Sequence, residues 1–239
     1  MVDVAVKIQD IQKPITGSSL SLASTKITSV DGVVTRPWGT FPSIVILPKL
    51  SSLGGYVYAQ GLFKNGKFDE TVGRDYTLTG MKAFVQDKEG KRYDGTIAKN
   101  GQYVVNGLPI THDDMSIVFD VPGHFNTYTS FHGMYQTLDG EEYGVAGYIG
   151  RDVYTATAGD VNKDNVIDIM DALAIQTYWG TNNRSADINF DGTVDVNDFA
   201  YVYYNYGLGN PTNPNANPKA KKTYKGQTLE SIIVELGLN

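Results

Sequence analysis

The stretch Asp160-Val161-Asn162-Lys163-Asp164-Asn165-Val166-Ile167-Asp168-Ile169-Met170-Asp171 organises the C-terminal half of this chain. With Asp160 as position 1 and Asp171 as position 12, oxygen-bearing side chains fall at positions 1, 3, 5, 9 and 12. A second copy follows: Asp187-Ile188-Asn189-Phe190-Asp191-Gly192-Thr193-Val194-Asp195-Val196-Asn197-Asp198. Both copies put a β-branched apolar residue, Ile167 or Val194, at position 8. Asp and Asn form turns on their own account, so the alternative is a pair of surface turns. Two loops that share both the oxygen spacing and the apolar position 8 argue against coincidence.

This is the ligand order of a calcium loop of the EF-hand kind. Calcium is a hard cation that takes six to eight oxygens, and short carboxylates and amides on alternate residues of a tight loop can all point inward. The spacing nominates Asp160, Asn162, Asp164, the Val166 carbonyl, Asp168 and Asp171 for one ion. It nominates Asp187, Asn189, Asp191, the Thr193 carbonyl, Asp195 and Asp198 for a second. Position 12 falls in the first turn of an exiting helix and swings a carboxylate back over the ion. Two departures from the rule stand out: position 12 is Asp rather than Glu, and position 6 of the first loop is Asn165 rather than Gly. Asn tolerates a left-handed backbone, so the sharp turn survives. The shorter Asp has less reach for two-oxygen coordination.

Each loop runs into an amphipathic stretch. Ile169 to Trp179, with Leu173 and Ile175, and Val196 to Tyr206, with Phe199 and Val202, both read as helices. Trp179-Gly180 and Tyr206-Gly207 then supply a glycine stop. No helix leads into the first loop: the residues before it, from Tyr148, look extended.

A duplicated calcium loop with a following helix and no entering helix resembles the dockerin module of secreted bacterial proteins, over Asp160 to about Gly209. The resemblance implies two loop-helix units about a pseudo-twofold axis, held by two calcium ions, with a helix face that binds a cohesin-like domain of a cellulosome. The partner-reading positions it implies are Ile169, Met170, Gln176 and Thr177 in the first unit, and Val196, Asn197, Tyr203 and Tyr204 in the second. The apolar pair Ile169-Met170 looks like the second type of dockerin. That face can equally dock on the adjacent β-sandwich of the same polypeptide.

A net charge of −6 with no Lys/Arg stripe argues against a nucleic-acid partner. The chain has no cysteine, which excludes disulfides and thiol chemistry. Weak calcium sites favour the outside of the cell. Met1-Val2-Asp3-Val4-Ala5-Val6-Lys7 has no long apolar core, no spanning segment is visible, and the chain reads as part of a larger exported protein.

The expected fold is a mainly β immunoglobulin-like sandwich followed by a small α dockerin-like domain. Residues 1–52 are β-rich, with a hairpin signal at Asp31-Gly32 between Val-rich flanks. Over residues 53–158, short strands alternate with turns at Asp87-Lys88-Glu89-Gly90 and Asn100-Gly101, with no room for crossover helices. The runs Gly54-Gly55-Tyr56-Val57-Tyr58 and Gly101-Gln102-Tyr103-Val104-Val105-Asn106-Gly107-Leu108-Pro109 resemble carboxypeptidase-regulatory-like, transthyretin-like domains and the X module that precedes some dockerins. Residues 159–209 are the dockerin-like unit and 210–226 a Pro/Asn/Lys linker. Residues 227–239 form a short helix, capped by Thr228 and stopped by Gly237, that needs a surface to dock on.

Nothing marks an enzyme. His112, His124 and His132 match no zinc spacing, and Asp113-Asp114 and Glu141-Glu142 are adjacent in sequence without implying a catalytic pair. The sixteen tyrosines raise a carbohydrate-stacking surface, with Tyr56, Tyr58, Tyr103 and Trp38 as members, against the ordinary use of tyrosine as a strand and core residue. Three functions follow: attachment to a cohesin-like partner, an internal brace, or an ancillary substrate-binding region of a secreted hydrolase or protease.

Overall fold

The computed structural model describes residues 27–28, 34–35, 50–64, 67–68, 75–132, 135–138, 140–148, 156–213, 216 and 218–238. Strands β1 (Ile27–Thr28) and β2 (Val34–Thr35) pair antiparallel; the hairpin signal expected at Asp31-Gly32 lies outside the described residues, as does Trp38. The main β unit contains β3 (Ser51–Tyr56), the small hairpin β4 (Phe63–Lys64) and β5 (Lys67–Phe68), then β6 (Lys82–Gln86) and β7 (Arg92–Ile97). It continues through β8 (Gln102–Leu108), β9 (Met115–Asp120), β10 (Thr127–Phe131), the hairpin β11 (Tyr135–Leu138) and β12 (Glu141–Gly144), and β13 (Ala146–Tyr148).

Seven strands form one sheet in the order β10-β9-β6-β7-β8-β3-β13, antiparallel except where β13 lies parallel to β3. The sheet turns a corner along β7. Its first half, through Asp94, pairs with β6, and its second half, from Gly95, pairs with β8. Gly95 makes the corner possible: a Cβ there would sit 2.8 Å from the Ala83 carbonyl oxygen and from Val105 Cγ2. The bend brings β8 and β9 face to face although two strands separate them in the sheet. The Tyr103 and Phe119 rings meet edge to face at 4.9 Å, inside a core that includes Leu53, Val85, Val105 and Ile117. The expected β-rich unit is therefore a half-barrel whose two halves share one strand.

The turns fall where local chemistry places them. Asp87 accepts the Glu89 and Lys91 amides at 3.1 and 2.8 Å. Gly101, at φ 82°, closes the β7–β8 turn through its amide to the Ala98 carbonyl at 2.9 Å. The β3–β8 register shifts by one residue between Ser51 and Leu53, and Gly107 at φ 75° stands on β8 beside the shift.

The second unit contains α1 (Ile169–Thr177), α2 (Val196–Tyr204), the hairpin β14 (Thr223–Tyr224) and β15 (Gln227–Thr228), and α3 (Leu229–Glu235). Both loop helices end two residues before the expected Trp179 and Tyr206, at Thr177 and Tyr204, and Gly180 and Gly207 follow at φ 72° and 87°. Thr228 caps α3, accepting the Ser231 amide at 3.2 Å. Among the described residues no helix is long and apolar enough to cross a membrane.

The two units are joined by a zipper. Ala156 bridges Ala59, Ala158 bridges His124, and the Gly159 amide donates to the Gly123 carbonyl at 2.7 Å. Phe125 of the β unit is buried in the second core, and Phe190 of the second unit packs against the first. Gly123 is pressed so close that a Cβ would meet Ile188 Cγ1 and the Ser185 carbonyl oxygen at 2.9 Å. Residues 210–213, expected to begin a linker, are tied down. Asn210 donates to the Asn126 carbonyl at 2.8 Å, and Thr212 accepts the Tyr128 amide at 3.2 Å.

Gly95→Ala tests the corner. With carbonyl oxygens on two sides of the new methyl, we expect a loss of about 1–3 kcal/mol in the urea unfolding of the β unit, read from its midpoint at unchanged slope.

Candidate metal centre and docking faces

The two loops are built bond for bond alike. In the first, Asp160 accepts the amides of Asp164 and Asn165 at 3.1 and 3.2 Å, and Asp164 accepts the Val166 amide at 3.1 Å. In the second, Asp187 accepts Asp191 and Gly192 at 3.1 Å each, and Asp191 accepts Thr193 at 3.0 Å. Asn162 and Asn189 bridge forward to Asp164 and Asp191 in the same way. Left-handed backbone recurs at positions 4 and 6, at Lys163 and Asn165 (φ 62° and 69°) and at Phe190 and Gly192 (φ 55° and 96°). Asn165 thus makes the turn that glycine makes in the second copy.

Position 12 closes each loop on itself. Asp171 accepts the amides of Val161 (2.8 Å), Asn162 (3.2 Å) and Asp168 (2.9 Å). Asp198 accepts those of Ile188 (2.7 Å), Asn189 (3.1 Å) and Asp195 (2.9 Å). Position 9 is the helix N-cap: Asp168 accepts the Met170 amide at 2.7 Å and Asp195 the Asn197 amide at 2.8 Å. Position 8 locks the units together reciprocally. Ile167 exchanges backbone bonds of 2.9 and 2.7 Å with Leu208 and Gly207, and Val194 exchanges bonds of 2.7 and 2.8 Å with Thr181 and Gly180. Each loop therefore pairs with the chain leaving the other unit's helix.

In the first loop, one oxygen each of Asp160, Asp164 and Asp171 lies within 4.8 Å of the others. Oxygens about 2.3–2.6 Å from a shared calcium are at most about 5 Å apart, so this spacing fits such an ion. Among the described residues this is the one grouping of three acidic side chains so close together. Burial pushes Asp160 up to about 6, Asp171 to about 7 and Asp198 to about 6. The neighbouring carboxylates Asp164, Asp160 and Asp187, respectively, add repulsion, against hydrogen bonds that favour the charged forms. Lys163 partly offsets this at Asp160, but burial still wins at all three acids, an electrostatic state that a divalent cation relieves.

Residues 158–205 match the family model of the dockerin type I domain. This stretch is a dockerin domain. No curated protein matches the chain. Among solved structures, two complexes from Acetivibrio cellulolyticus are similar, a C-terminal and an N-terminal interface mutant of a type II cohesin-X-dockerin complex. Identity is 15% and 16% and the TM-score 0.45 and 0.44, each match covering 67% of this chain and 97% of the other.

The expected partner faces of the dockerin domain come out unequal. Ile169 is wholly buried rather than on the surface, Met170 is half-buried, and Gln176 donates to Glu235 of α3 at 2.6 Å, while Thr177 is exposed. Val196, Asn197, Tyr203 and Tyr204 are all exposed. The cause is the C-terminal segment, which lies on α1. Expected as linker through residue 226, it folds into the β14–β15 hairpin and then α3, with Ile232 buried in the dockerin core.

Contact with the β unit runs through residues that the ligand pattern passes over. Lys163, at position 4, donates to the carbonyls of Val121 (2.6 Å) and His124 (2.7 Å) and to Asn126 Oδ1 (3.0 Å), and pairs with Asp120 at 3.0 Å. Phe190 holds position 4 of the second loop, with the Arg184 guanidinium 4.7 Å from its ring centroid. Arg184 also reaches the Thr79 carbonyl at 2.6 Å. No local periodicity announces these residues, because their partners lie tens of residues away.

The other candidates disperse. His124 is buried between the Pro122 and Gln60 carbonyls, His112 pairs with Glu142 and His132 with Asp114 on the exterior. Tyr103 is a core ring and Tyr56 and Tyr58 are half-buried.

The raised carboxylates set a pH dependence. A folded acid above its unfolded value of 3.8 binds more protons than the unfolded chain, so its contribution is present in acid and lost as pH rises through about 6 to 7. His124, held down to about 4 by burial, opposes this below 6.5. Three groups outweigh one. In chelator, the thermal midpoint of the dockerin domain, followed by helical circular dichroism, is expected to be higher at pH 5.5 than at pH 7.5.

Proposed function

We propose that the dockerin domain binds two calcium ions and attaches its parent polypeptide, outside a bacterial cell, to a cohesin domain. The single observation that carries the metal half of this reading is the bond-for-bond repeat of the two loops around carboxylates at positions 1, 5 and 12, those at 1 and 12 buried and those at 5 exposed. Asp160, Asp164 and Asp171 would hold one ion, with Asn162 and the Val166 carbonyl. Asp187, Asp191 and Asp198 would hold the other, with Asn189 and the Thr193 carbonyl. Asp168 and Asp195, each with one oxygen committed to a helix cap, would reach the ion through water. Calcium supplies the positive charge around which the carboxylates can be ionised and close together.

The partner half rests on the dockerin match, since dockerin modules occur in extracellular cellulosome proteins, and on the exposed surface of α2. The dockerin domain is noncatalytic, and any activity would belong to other parts of the parent protein. The internal-brace reading has its own support in Lys163 and Phe190, which seat the loops on the β unit, and the two readings are compatible. A sugar-stacking role has less, with Tyr103 in the core.

Calorimetric titration of calcium into chelator-treated protein at pH 7.5 is expected to show two sites. Asp160→Ala and Asp187→Ala should each remove one site and lower the calcium-loaded melting point. Calcium-loaded protein is expected to bind at least one member of a cohesin panel covering both types and to release it on chelation. Two sites without any cohesin binding leave the brace as the function, and no calcium binding overturns the reading.

A further inference from the structure

We infer that the two halves of the dockerin domain are not interchangeable: the chain's own C-terminal segment, residues 219–238, occupies the α1 face, and the α2 face alone takes the cohesin, in one orientation. This rests on the cohesin reading above and specifies its surface.

The two helices correspond position for position, so their faces can be compared directly. Ile169 is fully buried where Val196 is 48% exposed, and Met170 is half-buried where Asn197 is exposed. Gln176 is half-buried and bonded to Glu235, where Tyr203 is 50% exposed. The loops do not account for this, because their bonds are the same. What differs is the neighbour.

The seat of the C-terminal segment is specific. The Lys221 amide donates to Asp168 Oδ2 at 2.7 Å, and the Lys221 carbonyl accepts the Ile169 amide at 3.3 Å, so one residue clamps the start of α1. In the second unit the corresponding Asp195 Oδ2 accepts the side chain of its own Asn197 at 3.3 Å instead. Lys225 and Gly226, at φ 49° and 83°, turn the hairpin back so that α3 lies along α1 with Ile232 fully buried. The segment is a formed element that satisfies backbone groups of the helix it covers.

The α2 face has the character of a protein-binding surface. Tyr203 and Tyr204, the latter 79% exposed, stack edge to face at 5.6 Å. The helix's one charged side chain, Asp198, is buried in the loop. An uncharged, aromatic patch favours a partner offering a flat surface of apolar groups and hydrogen-bond acceptors for the two hydroxyls, and tyrosine is a residue on which binding energy concentrates. The corresponding face of α1 already holds a packed apolar partner, the C-terminal segment.

The test uses the full chain, calcium-loaded, with a cohesin from the panel that binds it. Tyr203→Ala with Tyr204→Ala should weaken binding about thirtyfold or more, whereas Met170→Asp with Thr177→Asp should change it by less than about threefold. Equal losses from both pairs, or loss only when both are combined, would overturn the single orientation. A second measurement needs no partner. In hydroxyl-radical footprinting, Met170 should be oxidised several times more slowly in the native chain than in Ile232→Asp, while Tyr203 and Tyr204 label alike in both. Equal Met170 rates would refute the cover. If no cohesin binds the wild type, the docking claim falls with the reading beneath it, and the footprint still decides whether the segment holds α1.

Discussion

The carboxylate at position 12 is the constraint on which the second unit depends. Asp171 reaches from the first turn of α1 to the amides at the start of its loop, and Asp198 does the same for α2. With one side chain tying the loop's two ends, the backbone between them is forced into the left-handed turns at positions 4 and 6. Those turns point the position 1, 3 and 5 side chains inward. The same burial that makes the tie rigid raises the carboxylates' proton affinity. The loop is therefore most settled when something positive, a proton or a cation, shares the space, so its folding is inseparable from its binding chemistry.

That constraint also reaches the β unit. A left-handed residue at position 4 projects its side chain away from the loop, and in both copies the projected side chain meets the half-barrel. One contact is a lysine among carbonyl oxygens and an aspartate, the other a phenylalanine against an apolar core. Duplication supplied the geometry twice, and the surface it meets differs at the two points, so the side chains differ too. The loops are thus seated on the β unit through Lys163 and Phe190, residues of the loops themselves.

What could be read in the sequence was what the chain decides locally. The loops, the caps at Asp168, Asp195 and Thr228, the glycine stops and the turns at Asp87–Gly90 and Asn100-Gly101 each depend on a handful of neighbouring residues. Sheet order was not of this kind. Nothing near Gly95 in sequence distinguishes it from a turn glycine. Its role comes from the Ala83 and Val104 carbonyls and Val105, which other strands bring against it. The same holds for the C-terminal segment. Its Pro/Asn-rich start reads as a linker by composition, yet Asn210 is buried because Asn126 and Asn165 offer it acceptors from two directions.

The duplicate's history is visible in which parts stayed alike. Bonds inside each loop, and the reciprocal pairing at position 8, are nearly superimposable, because each depends on partners that were copied along with it. The outward helix faces depend on partners that were not copied. On α1 the neighbour is a hairpin and helix of the same chain, and the matching positions became isoleucine, methionine and glutamine, suited to a permanent apolar contact. On α2 the neighbour is solvent, and valine, asparagine and tyrosine hold the same positions. A pseudo-twofold module thus becomes one-sided without any change to its internal symmetry, because the asymmetry lies in what each half is pressed against.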